Sequence, residues 1–242
     1  MSRVLELISM SSDDFDVASL ASYLHISPAQ AQKMAERGTL PARKVAGQWR
    51  FAASEVHHWL ENRIGVADDE DLDNVEGVLR MAGGTEPIRI CRLIPKGAMA
   101  IPLAARTSSS VIAAVVELAE RTGLLWDRNK MIEAVKAREN LHPTALENGV
   151  ALLHPRRPLA QTLSEPLLAL GITSQGIPFG ESHGQLTDIF FLICSIDDAG
   201  HLRVLARLSR LISRDGFLSA LRASRSEAEA REWIEQFEAE LE

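Results

Sequence analysis

Apolar and polar positions divide the chain into segments of different period. Behind Asp16, the residues Val17, Leu20, Ala21 and Leu24 recur at helical spacing, and aspartate is a residue type that caps such a helix. The pattern breaks at His25-Ile26 and restarts at Ser27-Pro28, a capping residue followed by proline at the first helical position. A second helix is therefore predicted through residues 29–38, with Gly38 as its left-handed stop. Leu40, Ala42, Val45, a turn at Gly47, then Trp49 and Phe51 read as a small β-hairpin. Residues 54–62 read as a third helix burying Val56, Trp59 and Leu60.

In the second half, residues 88–93 and 98–103 have strand-like apolar content. Thr107 or Ser108 is placed to cap a helix whose Val111, Ala114, Val115, Leu118 and Ala119 form one stripe and which Gly123 ends. Asp127 heads another helix, with Met131, Ile132, Ala134 and Val135 inward. Apolar runs at 149–153, 167–172 and 186–195 are of strand length. Asp198 heads a long helix on Leu202, Leu205, Leu208, Leu211 and Ile212, and the last segment is amphipathic on Ala230, Trp233, Ile234 and Phe237. Strands interleaved with helices predict an α/β C-terminal domain with a mixed sheet flanked by helices, preceded by a small winged helix-turn-helix domain.

Charge sharpens the division. Residues 1–64 hold equal numbers of basic and acidic side chains, residues 65–88 set Arg80 alone against seven acids, and residues 89–242 are close to neutral. The middle segment also carries Gly65, Gly77, Gly83, Gly84 and Pro87, so it is predicted to be an acidic linker between a 1–64 module and an 89–242 domain. Its acid run reads either as a solvated tether or as an internal decoy for a basic face. Across 242 residues the chain is 46% hydrophobic with a net charge of −7, which excludes wholesale disorder and a basic protein that coats nucleic acid. No run approaches the roughly 18 apolar residues of a membrane span. Two distant cysteines, Cys91 and Cys194, do not form a disulfide framework. The opening residues lack the long apolar core of a secretory signal. A cytoplasmic location without membrane insertion is expected.

Arg37, Arg43, Lys44 and Arg50 carry four positive charges with no acid between Arg37 and Ser54, a cluster suited to phosphate contacts. The order of features in this half resembles the excisionase-type, MerR-like helix-turn-helix family over about residues 14–63. The matching residues are Val17-Ala18, Leu20-Ala21, Leu24, Ser27, Gly38, Leu40-Pro41, Gly47, Trp49-Arg50-Phe51 and Trp59-Leu60. The resemblance implies DNA binding, with Gln30, Gln32, Lys33 and Arg37 on the second helix facing the major groove and Arg43, Lys44 and Arg50 on the wing. The alternative is a protein-interaction module that keeps the fold. One such module touches few bases, so useful affinity calls for neighbouring sites or a homodimer. His25, His57 and His58 lack the pairing of a metal site and read as solvated histidines; no metal is expected.

The second half has no glycine-rich phosphate loop and no nucleophile elbow, but it sets histidine beside arginine at element ends. Lys136-Ala137-Arg138-Glu139 closes a helix; Thr144 is followed by Asn148-Gly149-Val150-Ala151 and His154; Phe190-Phe191-Leu192 leads through an acidic turn to His201-Leu202 and Leu205. This pattern looks like the type-2 enzyme IIA domain of the bacterial sugar phosphotransferase system, in its fructose, mannitol and nitrogen-regulatory (PtsN-like) branch, over roughly residues 89–240. The resemblance implies that His154 accepts a phosphoryl group from a phosphohistidine carrier of the HPr or NPr type. It also implies that Arg138 and His201 line the phosphate and that Asn148 belongs to the turn presenting the acceptor. The chemistry suits these residues. A neutral imidazole is a competent nucleophile near pH 7, and a guanidinium and second imidazole stabilise charge on the equatorial oxygens. His201 is expected near the start of its helix, where free N–H groups favour an anion. No cofactor is expected.

Two residues depart from the family pattern. Leu153 stands where proline usually precedes the acceptor, and Pro155 follows where a small residue is usual. Pro155 restricts His154 toward extended backbone and removes an N–H, so the acceptor loop is expected to differ. Arg156 and Arg157 come next, as extra phosphate contacts or as solvated charges. His142 and His183 match no motif and are expected at the surface. The expectation is a DNA-binding regulator whose second domain is a phosphocarrier of the IIA type rather than a multiple-turnover enzyme. Its rivals are a carrier passing phosphate to a sugar permease and a phosphorylation-silent interaction scaffold.

Overall fold

Most of the described elements form where the caps and apolar stripes place them. The computed structural model describes residues 14–23, 26–52, 55, 56, 59, 88–180 and 186–241. The chain separates into two compact units, Met1–Glu86 and Pro87–Glu242. The 65–87 part of the acidic linker, His25, His57, His58, Leu60 and His183 lie outside the described residues.

In the first unit, strand β1 (Asp14–Phe15) leads into helix α1 (Val17–Tyr23). Asp16 caps α1: the Ser19 backbone N–H donates to Asp16 Oδ1 at 2.7 Å, and the Asp16 N–H donates to Ser19 Oγ at 2.9 Å. Helix α2 (Pro28–Glu36) opens with a reciprocal capping box between Ser27 and Gln30. It ends at Gly38, whose φ of 68° is left-handed. Strands β2 (Arg43–Val45) and β3 (Gln48–Ala52) form the wing, with Val45 paired to Gln48. The two turn residues, Ala46 at φ 51° and Gly47 at φ 81°, give a tight turn of the I′ type. Leu20, Ala31, Leu40, Phe51 and Val56 fill the small core, and Trp59 Nε1 donates to the Thr39 carbonyl at 2.8 Å. Val45 is exposed at the end of β2, an outer strand of this sheet. Trp59 is half-buried. Strand β1 has no periodic signal in two residues; it exists because β3 offers a free edge, and the three strands lie in the order β1-β3-β2.

The second unit opens with a correction. Residues 88–93, expected as a strand, contain the short helix α3 (Ile90–Leu93), because their backbone N–H groups meet a carboxylate from the far end of the chain. Glu238 accepts from the Ile90 and Cys91 N–H groups, and Arg231 donates to the Cys91 and Ile94 carbonyls at 3.0 and 2.8 Å. Helix ends need such partners. Strand β4 (Met99–Ala100) is shorter than predicted, since Pro102 has no N–H to give a ladder. Helix α4 (Ser108–Arg121) carries the Thr107–Ser110 capping box, and helix α5 (Arg128–Leu141) has Asp127 as its cap. Met131 and Val135 of α5 are buried as expected, while Ile132 and Ala134 are half-buried and Arg138 takes the next inward position.

Strand β5 (Val150–Leu153), strand β6 (Leu167–Pro178) and strand β7 (Leu186–Cys194) complete a mixed sheet in the order β4-β6-β7-β5. Neighbours β5 and β7 are parallel, as are β4 and β6, while β6 and β7 are antiparallel. Strand β6 runs well past the apolar block at its start, through an irregularity between Ile172 and Ile177 that lets polar residues join the ladder. Helix α6 (Asp198–Ser213), helix α7 (Phe217–Ala223) and helix α8 (Glu227–Ala239) close the unit. The cap of α6 is Asp197, one residue before the expected Asp198. Helix α8 buries Ala230, Ile234 and Glu238, leaving Trp233 partly exposed. Among the described residues, no helix is long and apolar enough to cross a membrane.

Candidate functional site

Parallel pairing of β5 with β7, Leu153 opposite Leu192, brings the carboxyl ends of the two strands to one edge of the sheet. This is the edge where open α/β sheets place ligands. His154 follows β5 directly. Ser195 follows β7, and His201 stands in the first turn of α6 just beyond. Two imidazoles 47 positions apart in sequence therefore meet, with ring centroids 4.9 Å apart and planes inclined by 54°. His154 is 2% exposed, His201 6% and Ser195 3%.

The contacts of the two rings differ in kind. His154 Nδ1 lies 2.7 Å from the Leu152 carbonyl oxygen. A carbonyl only accepts, so this nitrogen carries a proton and, in the neutral ring, Nε2 carries the lone pair. His201 Nδ1 lies 3.2 Å from Ser195 Oγ, a group that can donate or accept.

The backbone behind His154 is tied to the end of α5. Glu139 accepts from the Thr144 N–H at 3.1 Å and from the Thr144 hydroxyl, and the Thr144 carbonyl accepts from the Leu152 N–H at 3.3 Å. Burial pushes the Glu139 carboxyl above its ordinary range, against the opposing pull of its Thr144 hydrogen bonds. Leu152 thus receives support at its N–H and orients His154 at its carbonyl.

The other expected site residues take several positions. Arg138 is buried, with Nη1 donating to the His142 carbonyl at the end of α5. Asn148 is exposed at the start of β5, and a four-residue strand at roughly 3.3 Å per residue puts about 13 Å between the strand ends. Its carbonyl accepts from Arg222 Nη2 at 2.7 Å, and Arg222 also grips Asp188 through two bonds of 2.8 and 2.9 Å. Asn148 therefore belongs to the anchor of β5 and is not brought to the imidazoles. Pro155 is buried, whereas Arg156, Arg157 and His142 are exposed. At the start of α6 the Gly200 N–H donates to Asp197 Oδ1 at 2.7 Å, and Asp198 adds a second carboxylate. The anion preference expected of that helix end is met in part by the chain's own acids. Ser195 went unnoticed as a site residue in the sequence; its one signal is a polar residue closing the apolar run 189–194.

In the first unit, Gln30, Gln32, Lys33 and Arg37 are exposed on or just past α2. The Gln30 side chain is committed to its capping box, accepting from the Ser27 N–H and hydroxyl at 3.0 Å each. Gln32 Nε2 donates to Glu36 at 2.9 Å. The wing cations are partly matched by acids that precede them in sequence. Arg43 pairs with Asp14, Arg50 Nη1 lies 3.9 Å from Asp16, and Lys44 Nζ stacks 4.7 Å over the Trp49 ring. Strand pairing of β1 with β3 imports these acids into a stretch with none of its own.

These features define an α/β domain of the IIA type, with a histidine pair at the sheet's carboxyl edge, attached to a helix-turn-helix domain. Residues 92–237 match the family "Phosphoenolpyruvate-dependent sugar phosphotransferase system, EIIA 2", and the chain belongs to that family. Residues 15–64 match "Helix-turn-helix domain". The chain is 34% identical over 116 residues to a nitrogen regulatory protein of Bradyrhizobium diazoefficiens, covering 46% of this chain and 74% of that one. It is 27% identical over 142 residues to a fructose-specific EIIABC component of Bacillus subtilis, covering 58% of this chain but only 22% of that protein's length. The crystal structure of nitrogen regulatory protein IIA-Ntr from Neisseria meningitidis superposes with a TM-score of 0.53 at 23% identity, over 60% of this chain and 98% of that one. IIA mannitol from Escherichia coli gives 0.52 at 18% identity, over 58% and 98%. At those identities the solved structures speak to the fold.

Proposed function

We propose that this protein is a DNA-binding regulator whose IIA domain is phosphorylated on His154 by an HPr- or NPr-like phosphohistidine carrier, so that phosphotransfer state is coupled to transcription. The observation that carries the reading is the pair of imidazoles at 4.9 Å, with the Leu152 carbonyl holding the proton of His154 on Nδ1. The Nε2 lone pair forms the new N–P bond as the carrier's P–N bond breaks, and that bond's electron pair returns to the carrier imidazole. Charge spreads over the three equatorial oxygens, where an N–H from His201 and the guanidinium of Arg138 stabilise it. The phosphoryl group adds close to two negative charges, enough to change which surfaces the domain tolerates. Return of the phosphoryl group to a carrier imidazole, or its transfer to water, breaks the N–P bond and gives the Nε2 lone pair back.

Incubation of the full chain with a phosphorylated carrier, followed by mass spectrometry, is expected to place one phosphoryl group on His154 and none on His154→Ala. Equal labelling of both proteins removes the proposal. Its DNA half predicts binding whose logarithmic affinity falls linearly with log salt, with Arg43→Ala lowering the slope by about one. A phosphorylation-silent scaffold draws on a specific observation, the 2% exposure of His154. That reading is favoured if the carrier labels neither protein.

A further inference from the structure

Building on His154 as phosphoacceptor, we infer that Ser195 is a positioning residue that holds His201 as an N–H donor toward the transferred phosphoryl group. Ser195 is buried directly after β7, and its Oγ lies 3.2 Å from His201 Nδ1. Helix α6 fixes where His201 leaves the backbone; the hydroxyl fixes which way its ring is turned. A serine hydroxyl donates to a bare Nδ1 when His201 is neutral and accepts from Nδ1–H when it is cationic. In either of these two arrangements Nε2 carries a proton and is a donor, a form of the neutral ring that a hydroxyl beside Nδ1 supports by donating to it. A backbone carbonyl or a carboxylate in the same place would favour Nδ1–H and leave the neutral ring's Nε2 bare.

The Leu152 carbonyl does that at His154, 2.7 Å from Nδ1. Two rings in contact are therefore given complementary roles, one a nucleophile and one a donor, by two kinds of oxygen. Both oxygens sit at the carboxyl ends of adjacent parallel strands, so the sheet that brings the rings together also sets their protonation pattern.

The test uses the full chain, labelled with ¹⁵N, as wild type, Ser195→Ala and Ser195→Thr. Long-range ¹H–¹⁵N spectra of the neutral imidazoles are expected to show His201 protonated on Nε2 and His154 on Nδ1 in the wild type. In Ser195→Ala, His201 shifts to a mixture of tautomers while His154 does not change. Phosphoramidate, a small N-phosphoryl donor that needs no protein docking, is expected to label His154 about fivefold more slowly in Ser195→Ala, the scale of one neutral hydrogen bond. Ser195→Thr restores both readouts. An unchanged His201 tautomer in Ser195→Ala, or an Nδ1–H form in the wild type, overturns the role of Ser195 alone. Absence of label on wild-type His154 from both phosphoramidate and the carrier overturns the phosphoacceptor reading, and the donor role with it.

Discussion

The helix-turn-helix unit and the IIA unit are built from the same kinds of helix and strand but draw their order from different distances along the chain. In the first, Asp16, Ser27, Pro28, Gly38 and Gly47 each act within a few residues of their own position, as caps, stops and turn. In the second, the groups that matter come from far away. Glu238 caps a helix nearly 150 positions earlier, and His154 meets His201 only because β5 pairs with β7. Local signals suffice for a small module whose core is a handful of side chains. A site at a sheet edge needs long-range pairing.

The largest effect is expected where the long-range contacts converge. Arg207 and Glu238 form a nearly buried pair, 3% and 1% exposed, with Arg207 Nε 3.7 Å from Glu238 Oε1. Glu238→Ala removes the cap of α3 and the carboxylate beside the buried Arg207 guanidinium, a loss of about 3–5 kcal/mol. Urea unfolding followed by signals from each unit should show the loss in the IIA unit and an unchanged helix-turn-helix transition. A loss under about 1 kcal/mol would mean that the far end of the chain does not hold the domain's first helix.

A smaller effect is expected from the local device. Gly38→Ala forces a Cβ into left-handed backbone at the end of α2, costing roughly 1 kcal/mol, confined to the first unit. Open space around that position makes backbone strain the whole cost, so Gly38→Asn should recover part of it. Thermal unfolding of the three proteins checks the order.

The smallest effect concerns pH. Because burial raises the Glu139 carboxyl, its contribution is fully favourable below the ordinary carboxylate range and is lost as pH rises through the folded value. Glu139→Gln should therefore gain on the wild type, in relative stability, between pH 4 and pH 7. Parallel denaturation curves for the two proteins across that interval would contradict the burial of this group.

Much of the fold is legible in the residues themselves. The caps at Ser27, Thr107 and Asp127 and the stripe on α4 appear where the pattern puts them. Residues 88–93 misled because four apolar positions carry no period, and a remote carboxylate decided in favour of helix. The site was legible as a set of names, His154 and His201 above all, without their geometry. Asn148 shares the motif but stands at the other end of the strand, and Ser195 belongs to no motif. The wing's positive run was visible, while the acids that answer it, Asp14 and Asp16, join through a strand of two residues too short to leave a pattern.

The amino-acid sequence alone thus placed most of the longer helices and the faces they turn inward, because capping and amphipathic burial depend on neighbours three or four residues away. Tertiary structure decided which imidazole carries a lone pair, which serine meets the other, and how much of the wing's charge stays uncompensated. Those outcomes depend on hydrogen bonds and ion pairs between segments that only strand pairing and helix packing bring within a few ångströms.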